Sequence, residues 1–250
     1  MTSLEPPPPM SLGSRILNLF AAPGELFAHL AANPYNVVNW LVPAALVGLV
    51  GLVVNLAVFN TPALVQQVRD LQDHEMQKRV DSGRMSAAQA DQAREFMGGP
   101  GMTLIKVVGS IGAMVGALLV PFWWGLVCWL LGRFIFRTPM GYMRGVEVAA
   151  LAGLVGIPSL LVTLFLSIGL GRLGAGAHLG MMLPHFDFSN RTHLALGAVN
   201  LFSLWHLGLL ALGTARLIRR AFAPVATVFL GLWLAYKGIA VALGLSQFAM

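Results

Sequence analysis

The sequence predicts an all-α fold: one integral membrane bundle of five transmembrane helices, with an interfacial amphipathic helix before the first span and a helical hairpin between the first two. Hydrophobic residues make up 57% of the 250 residues and charged residues only 10%, whereas soluble domains average roughly 25% charged residues. The mean hydropathy is +0.75. Apolar stretches also recur at the length of roughly 20 residues that a membrane-crossing helix needs. These observations exclude an ordinary soluble enzyme and a disordered chain.

The N-terminal segment is predicted to lie outside the lipid. Residues 1–10 are expected to form a disordered tail, because Pro6 to Pro9 are an unbroken proline run. Glu5 and these prolines stand where a signal peptide has a basic and then an apolar region, so no signal peptide is expected. Residues 11–250 are expected to form one membrane domain. Within it, residues 11–31 are amphipathic and broken at Pro23, so they are predicted to lie in the interface.

Five spans are predicted from the apolar stretches. The first and fourth stretches contain no charged residue, and the fifth is interrupted only by Lys237. Backbone groups in lipid must be hydrogen-bonded within their own segment, so stretches of this length are expected to be helices. The predicted spans cover residues 37–59, 103–131, 146–170, 194–215 and 222–248.

The extramembrane loop of residues 60–101 reads as two short helices. Thr61 is a candidate N-cap followed by Pro62 at the first helical position. Ser86 and Gln89 form a capping-box pattern before the second helix. The loop is therefore predicted to be a helical hairpin.

The distribution of arginines predicts the orientation. With the N-terminus inside, the two compact inside loops hold six arginines, and the compact outside loop holds two. Positive residues in short loops favour the cytoplasm. We therefore expect a cytoplasmic N-terminus and a C-terminus outside. The net charge of +6 is explained by this orientation and does not indicate a nucleic-acid partner.

Three ionisable residues fall at or near membrane depth, where such groups are functional candidates. Glu147 lies at the start of the third span beside Arg144, and an ion pair or a helix-start carboxylate is the favoured interpretation. Lys106 and Lys237 lie toward the outer ends of their helices, where long stems reach the interface. Anchoring is favoured over transport for both lysines.

A polar stripe is predicted in the middle of the fourth span. Asn200, Ser203 and His206 follow one another at intervals of three residues, which places them on one side of a helix. Such a stripe joins helices by hydrogen bonds or lines a path for protons or substrate. The joining role is favoured.

The sequence predicts no catalytic residue and no cofactor. It contains no nucleophile elbow, P-loop, dinucleotide fingerprint or H-E-x-x-H motif. A weak candidate for a zinc or copper site lies in the outer loop, but its histidines match no tight metal spacing, and unrelated surface histidines are favoured. These histidines are His178, His185 and His193.

Small residues and proline are expected to shape helix packing. Gly109, Gly112 and Gly116 recur on the second span, and such positions allow helices to approach closely. Pro158 lies within the third span, where it is expected to kink the helix or free a carbonyl.

Several short motifs together resemble the Yip family, the Ypt/Rab-GTPase-interacting membrane proteins, in its bacterial branch. They are Phe20-x-x-Pro23 with Leu26-Phe27, Gly156-Ile157-Pro158, Asn200-Leu201-Phe202-Ser203-Leu204-Trp205, and Met85-Ser86 with Gln89. The resemblance covers roughly residues 15 to 245. It implies five spans, a cytoplasmic N-terminus, an outside C-terminus and, through the bacterial branch, residence in a bacterial inner membrane. The Asp-Leu-x-Gly-Pro motif of many eukaryotic members is missing, so GTPase binding is not carried over.

The sequence leaves two functions open. The first is a non-enzymatic membrane protein that organises the bilayer or partner proteins, as a homo-oligomer or as a subunit. The second is a transporter or channel for an ion, lipid or small molecule that uses the mid-membrane stripe.

Overall fold

A computed structural model describes residues 10–183 and 190–243. Most of the predicted N-terminal tail, residues 244–248 of the fifth span, and His185 lie outside these ranges. The prediction of an all-α chain is confirmed, since the described residues form α-helices and contain no named strand. The helices are α1 Leu12–Ala21, α2 Pro23–Ala32, α3 Val38–Phe59, α4 Pro62–Asp81, α5 Ala87–Gly98, α6 Pro100–Leu130, α7 Tyr142–Gly153, α8 Gly156–Leu170, α9 Arg191–Ala198, α10 Leu201–Leu217 and α11 Phe222–Ala242.

Within the described residues, four helical segments are long and apolar enough to cross a membrane. They are α3, α6 with its π-helical extension to Ile135, α7 together with α8, and α11. The length and apolar composition of these four segments support a helical membrane bundle. α10 is apolar but has only 17 residues and falls below the length of the other four.

The continuous helix predicted over residues 194–215 is wrong, because the chain leaves the helical conformation between α9 and α10. The Val199 carbonyl accepts a hydrogen bond from the Leu179 amide at 3.1 Å, and His178 pairs with Asn200 in an isolated antiparallel bridge. The Asn200 side chain then accepts a hydrogen bond from the Phe202 amide at 2.9 Å, and in this way it caps the N-terminus of α10. Asparagine is among the residues most favoured at the N-cap position of a helix.

The third predicted span is also interrupted, at Leu154 and Val155 between α7 and α8. Pro158 lies four residues after Leu154. A proline has no amide hydrogen, and its ring clashes with the carbonyl four residues before it. The interruption therefore lies where Pro158 predicts it.

The predicted hairpin of residues 60–101 is present as α4 and α5, although α4 runs for 20 residues and is not short. The capping box of Ser86 and Gln89 is complete in both directions. Thr61 does not cap α4 through its side chain, because its hydroxyl donates to the Ala57 carbonyl at 2.9 Å.

The described residues form two compact units. The first comprises described residues 10–47, 117–156, 178–183 and 190–243, and the second comprises residues 48–116 and 157–177. In the first unit, α10 packs against α2, α7 and α11, around fully buried side chains such as Phe27, Leu151 and Leu210. In the second unit, Gln67 of α4 fixes the loop after α8, accepting from the Leu173 amide at 2.8 Å and donating to the Gly171 carbonyl at 2.7 Å.

Candidate functional site

The first unit contains a buried polar network whose centre is Glu147. This residue and Arg144 lie three positions apart in the first turns of α7, where they face the same side of the helix. Glu147 is 0% exposed, and its Oε2 accepts from Arg144 Nη1 at 2.6 Å. Its other oxygen, Oε1, accepts from the Asn36 amide at 2.9 Å and from Asn39 Nδ2 at 2.7 Å. Both carboxylate oxygens are therefore used by the protein itself.

The network extends from Glu147 to three further helices. Asn39, in the first turn of α3, accepts a hydrogen bond from Arg15 of α1 at its Oδ1. Arg144 donates through Nη2 to the Leu30 carbonyl in the last turn of α2. The last carbonyls of a helix have no partner within the helix, so this arginine satisfies one of them. α1, α2, α3 and α7 are thus joined by one set of hydrogen bonds.

A cavity of about 140 Å³ lies next to this network. Its polar lining comes from Arg15, His29, Asn33, Asn36 and Asn39. His29 is buried, and its Nε2 accepts the Met10 amide at 3.4 Å. Burial lowers the pKa of His29, and the nearby charge of Arg15 lowers that pKa further. The neutral imidazole is therefore favoured, and Arg15 supplies the positive charge of the cavity.

Sequence reasoning placed Glu147 beside Arg144 but missed Arg15, Asn36 and Asn39. A signal for Asn39 was present, because it is a polar side chain near the start of an otherwise apolar span. The carboxylate that Asn39 contacts could not be predicted from neighbouring residues, because Asn39 and Glu147 are 108 residues apart in the chain.

The structure separates the members of the predicted polar stripe. Asn200 is the cap of α10, so only Ser203 and His206 lie within the helix. The His206 ring packs edge-on against Trp124, with 5.6 Å between ring centroids. Its Nδ1 lies 3.2 Å from the Ala152 carbonyl, which requires the proton on Nδ1 because a carbonyl can only accept. The other nitrogen, Nε2, is buried without a hydrogen-bond partner in the described structure.

The predicted packing glycines have different environments. Gly109 faces Asn55 of α3, whose Oδ1 would lie 3.1 Å from a β-carbon at that position. Asn55 also donates to Ser110 Oγ at 2.9 Å, a contact between α3 and α6 that the sequence reading did not identify. Gly112 and Gly116 are different, because a β-carbon there would meet nothing within 4 Å.

A close contact between the backbones of α6 and α7 in the first unit uses two glycines that the sequence analysis did not select. A β-carbon at Gly145 of α7 would lie 2.6 Å from the carbonyl oxygen of Gly125 in α6. A β-carbon at Gly125 would lie 2.8 Å from the backbone nitrogen of Val146. These contacts involve backbone atoms, so α6 and α7 approach each other as closely as they do only because both positions lack a side chain.

Each of the two candidate lysines has a neighbour that contacts its ammonium group. Lys106 Nζ lies 3.4 Å from Asn60 Oδ1, and Lys237 Nζ lies 5.9 Å from the centroid of the Tyr236 ring. That second distance is within the range of a cation–π interaction.

Two of the three histidines proposed as a weak metal site lie within the described ranges. His178 pairs with Asn200 through its backbone, His193 lies in the first turn of α9, and His185 lies outside the described ranges. Among residues 10–183 and 190–243, no three His, Cys, Asp or Glu residues are grouped so that they would hold a metal ion.

In comparisons with protein-family models, with curated proteins and with solved structures, nothing matches this chain.

Proposed function

We propose that the protein is a non-enzymatic integral membrane protein of the Yip type, which holds a pair of interfacial helices on a five-span bundle and organises membrane or partner proteins. The buried network around Glu147 is the observation that carries this proposal. Its carboxylate and the guanidinium of Arg144 are both engaged in joining α1, α2, α3 and α7. A buried ion pair used in this way fixes one arrangement of helices.

The outward face of the interfacial pair supports the same role. Leu17 and Phe20 of α1 are 70% and 41% exposed, while Leu19 on the other face is fully buried. Amphipathic helices of this kind lie in the headgroup region with their apolar side chains in lipid or against a partner. The bundle would therefore present α1 at the membrane surface in a fixed orientation.

In this proposal α10 is the fourth of five spans. Its 17 residues give a length of about 25 Å at 1.5 Å per residue, which is the lower end of what crosses a bilayer. The N-terminus then lies in the cytoplasm, and the C-terminal side of α11 lies outside.

The topology can be tested with single cysteines on either side of α10. Thr192 and Arg220 are both exposed, and they precede and follow α10. In a Cys128→Ala background, we expect an impermeant thiol reagent to label Thr192→Cys in intact cells and Arg220→Cys only after lysis. Labelling of both sites from the same side would mean that α10 does not cross the membrane. Cysteine at Ser86 in the α4–α5 hairpin is expected to be labelled from outside.

The organising role is tested by native mass spectrometry of the protein in detergent or native nanodiscs. We expect assemblies heavier than one chain of 26.7 kDa, formed by further copies or by a defined partner. A strictly monomeric protein without partners, extracted under several mild conditions, would contradict this role.

A transporter is the second candidate, and the unpartnered Nε2 of His206 is the observation that favours it. A buried imidazole nitrogen within an apolar helix is able to accept a proton from a passing ion or substrate. If this is the path, His206→Leu should abolish proton flux measured with a pH-sensitive dye in proteoliposomes, and Thr227→Ala on exposed surface of α11 should not. Equal flux in wild type and His206→Leu would exclude the path.

A further inference from the structure

The cavity beside α1 and α2 is small, and its lining includes one arginine and three asparagines. Its volume of about 140 Å³ is below the roughly 300–1,000 Å³ of pockets for drug-sized ligands. It therefore suits one compact polar group with a few heavy atoms.

Arg15 leaves hydrogen-bonding capacity unused at this cavity. Its Nη1 donates to Asn39 Oδ1, while its Nη2 has no hydrogen-bond partner among the described residues. A guanidinium presents five donors in a rigid fork, which matches the oxygen atoms of a carboxylate or phosphate. The guanidinium donors of Arg15 are therefore suited to bind an oxyanion in the cavity.

The charge of Arg15 is not neutralised by Glu147. That carboxylate forms its ion pair with Arg144, and the Asn39 amide lies between it and Arg15. No carboxylate lies within 4.0 Å of the Arg15 guanidinium in the described structure. Burial lowers the pKa of His29, and the same Arg15 charge lowers that pKa further.

We propose that this cavity binds a phosphate group, supplied by an anionic phospholipid headgroup or by free phosphate. The cavity lies where α3, a helix long enough to span a membrane, begins at Val38. In the proposed topology, this is the depth of the inner-leaflet phosphates. Only the lipid source rests on the proposed function, since binding of free phosphate does not require a membrane.

The test compares wild type with Arg15→Gln, and Arg220→Gln is the matched control because it removes the same charge from an exposed position outside the cavity. Purified protein in detergent is titrated with phosphatidylglycerol and, separately, with phosphatidylcholine, and bound lipid is counted by native mass spectrometry. A second titration uses inorganic phosphate against chloride at equal ionic strength, and binding is read from the shift in unfolding temperature.

We expect Arg15→Gln to weaken binding at least about ten-fold in one titration, as the loss of a charge-assisted hydrogen bond implies, and Arg220→Gln to leave it within about two-fold. A difference confined to phosphatidylglycerol identifies the lipid source, and a difference with inorganic phosphate identifies free phosphate.

If Arg15→Gln fails to fold, Asn33→Asp, which places a carboxylate in the cavity, should weaken binding equally. Binding that is the same in wild type and folded cavity variants, or that Arg220→Gln reduces equally, would overturn the proposal. The phosphate titration is independent of topology, so its failure is distinct from a failure of the proposed function.

Discussion

Replacing Glu147 by Gln is expected to destabilise the protein more than any other single change in the buried network. The variant keeps the size of the side chain but removes the charge, so Arg144 loses its ion-pair partner. The side chain at position 147 is fully buried, so water cannot replace that partner. The new amide also brings a donor to a position surrounded by the donors of Arg144 and Asn39. Breaking a buried pair in this way costs about 3–5 kcal/mol, or roughly 10 °C in unfolding temperature for a chain of this size.

The measurement is thermal unfolding in detergent, with Glu95→Gln as the matched control because Glu95 is exposed on α5. The control should unfold within a degree or two of wild type, as expected for a surface substitution. The double variant Arg144→Gln, Glu147→Gln should lose less than the sum of the single losses, because the two residues share one interaction. Additive losses, or a wild-type unfolding temperature for Glu147→Gln, would mean that the network does not hold the helices together.

Replacing Gly145 by Ala is expected to produce the second large effect, through the contact between α6 and α7. The new methyl group would lie 2.6 Å from the Gly125 carbonyl oxygen, and a backbone atom cannot rotate away. The helices must therefore separate, and overpacking of this kind costs about 1–3 kcal/mol. Gly125→Ala should behave in the same way, since its methyl group meets the backbone of Val146.

Gly112→Ala is the control for this series, because the same substitution there meets nothing within 4 Å. Without a clash, alanine should stabilise the helix by about 0.5–1 kcal/mol, since glycine loses more backbone freedom on folding. Thermal unfolding of the three variants in one detergent gives the comparison. The proposed close approach would be refuted if Gly145→Ala and Gly112→Ala shifted the unfolding temperature in the same direction.

Features of the fold that depend on neighbouring residues could be predicted from the sequence. The capping box of Ser86 and Gln89 is such a feature, because both hydrogen bonds form within one turn of helix. The apolar stretches of α3, α6 and α11 are another, because their length and composition alone decide whether they are able to span a bilayer. The interruption before Pro158 also follows from local backbone geometry.

Features that depend on distant partners could not be predicted. The chain breaks at Asn200, inside an apolar stretch that looks continuous, because the backbone there pairs with His178 and Leu179. Glycine spacing selected Gly112 and Gly116, whereas Gly125 and Gly145 make the close approach. Spacing shows that a helix has a small-residue face, but it does not show which helix will lie against that face.

The sequence by itself determined that this protein is helical and suited to a membrane, because hydrophobicity and helix formation are summed over residues close together in the chain. Only the tertiary structure decided which polar residues act together. Arg15, Asn39 and Glu147 come from three helices and meet where the chain buries them, and a buried charge must find its hydrogen-bond partners wherever the fold places them. That requirement acts between helices in space, so the order of residues along the chain does not reveal it.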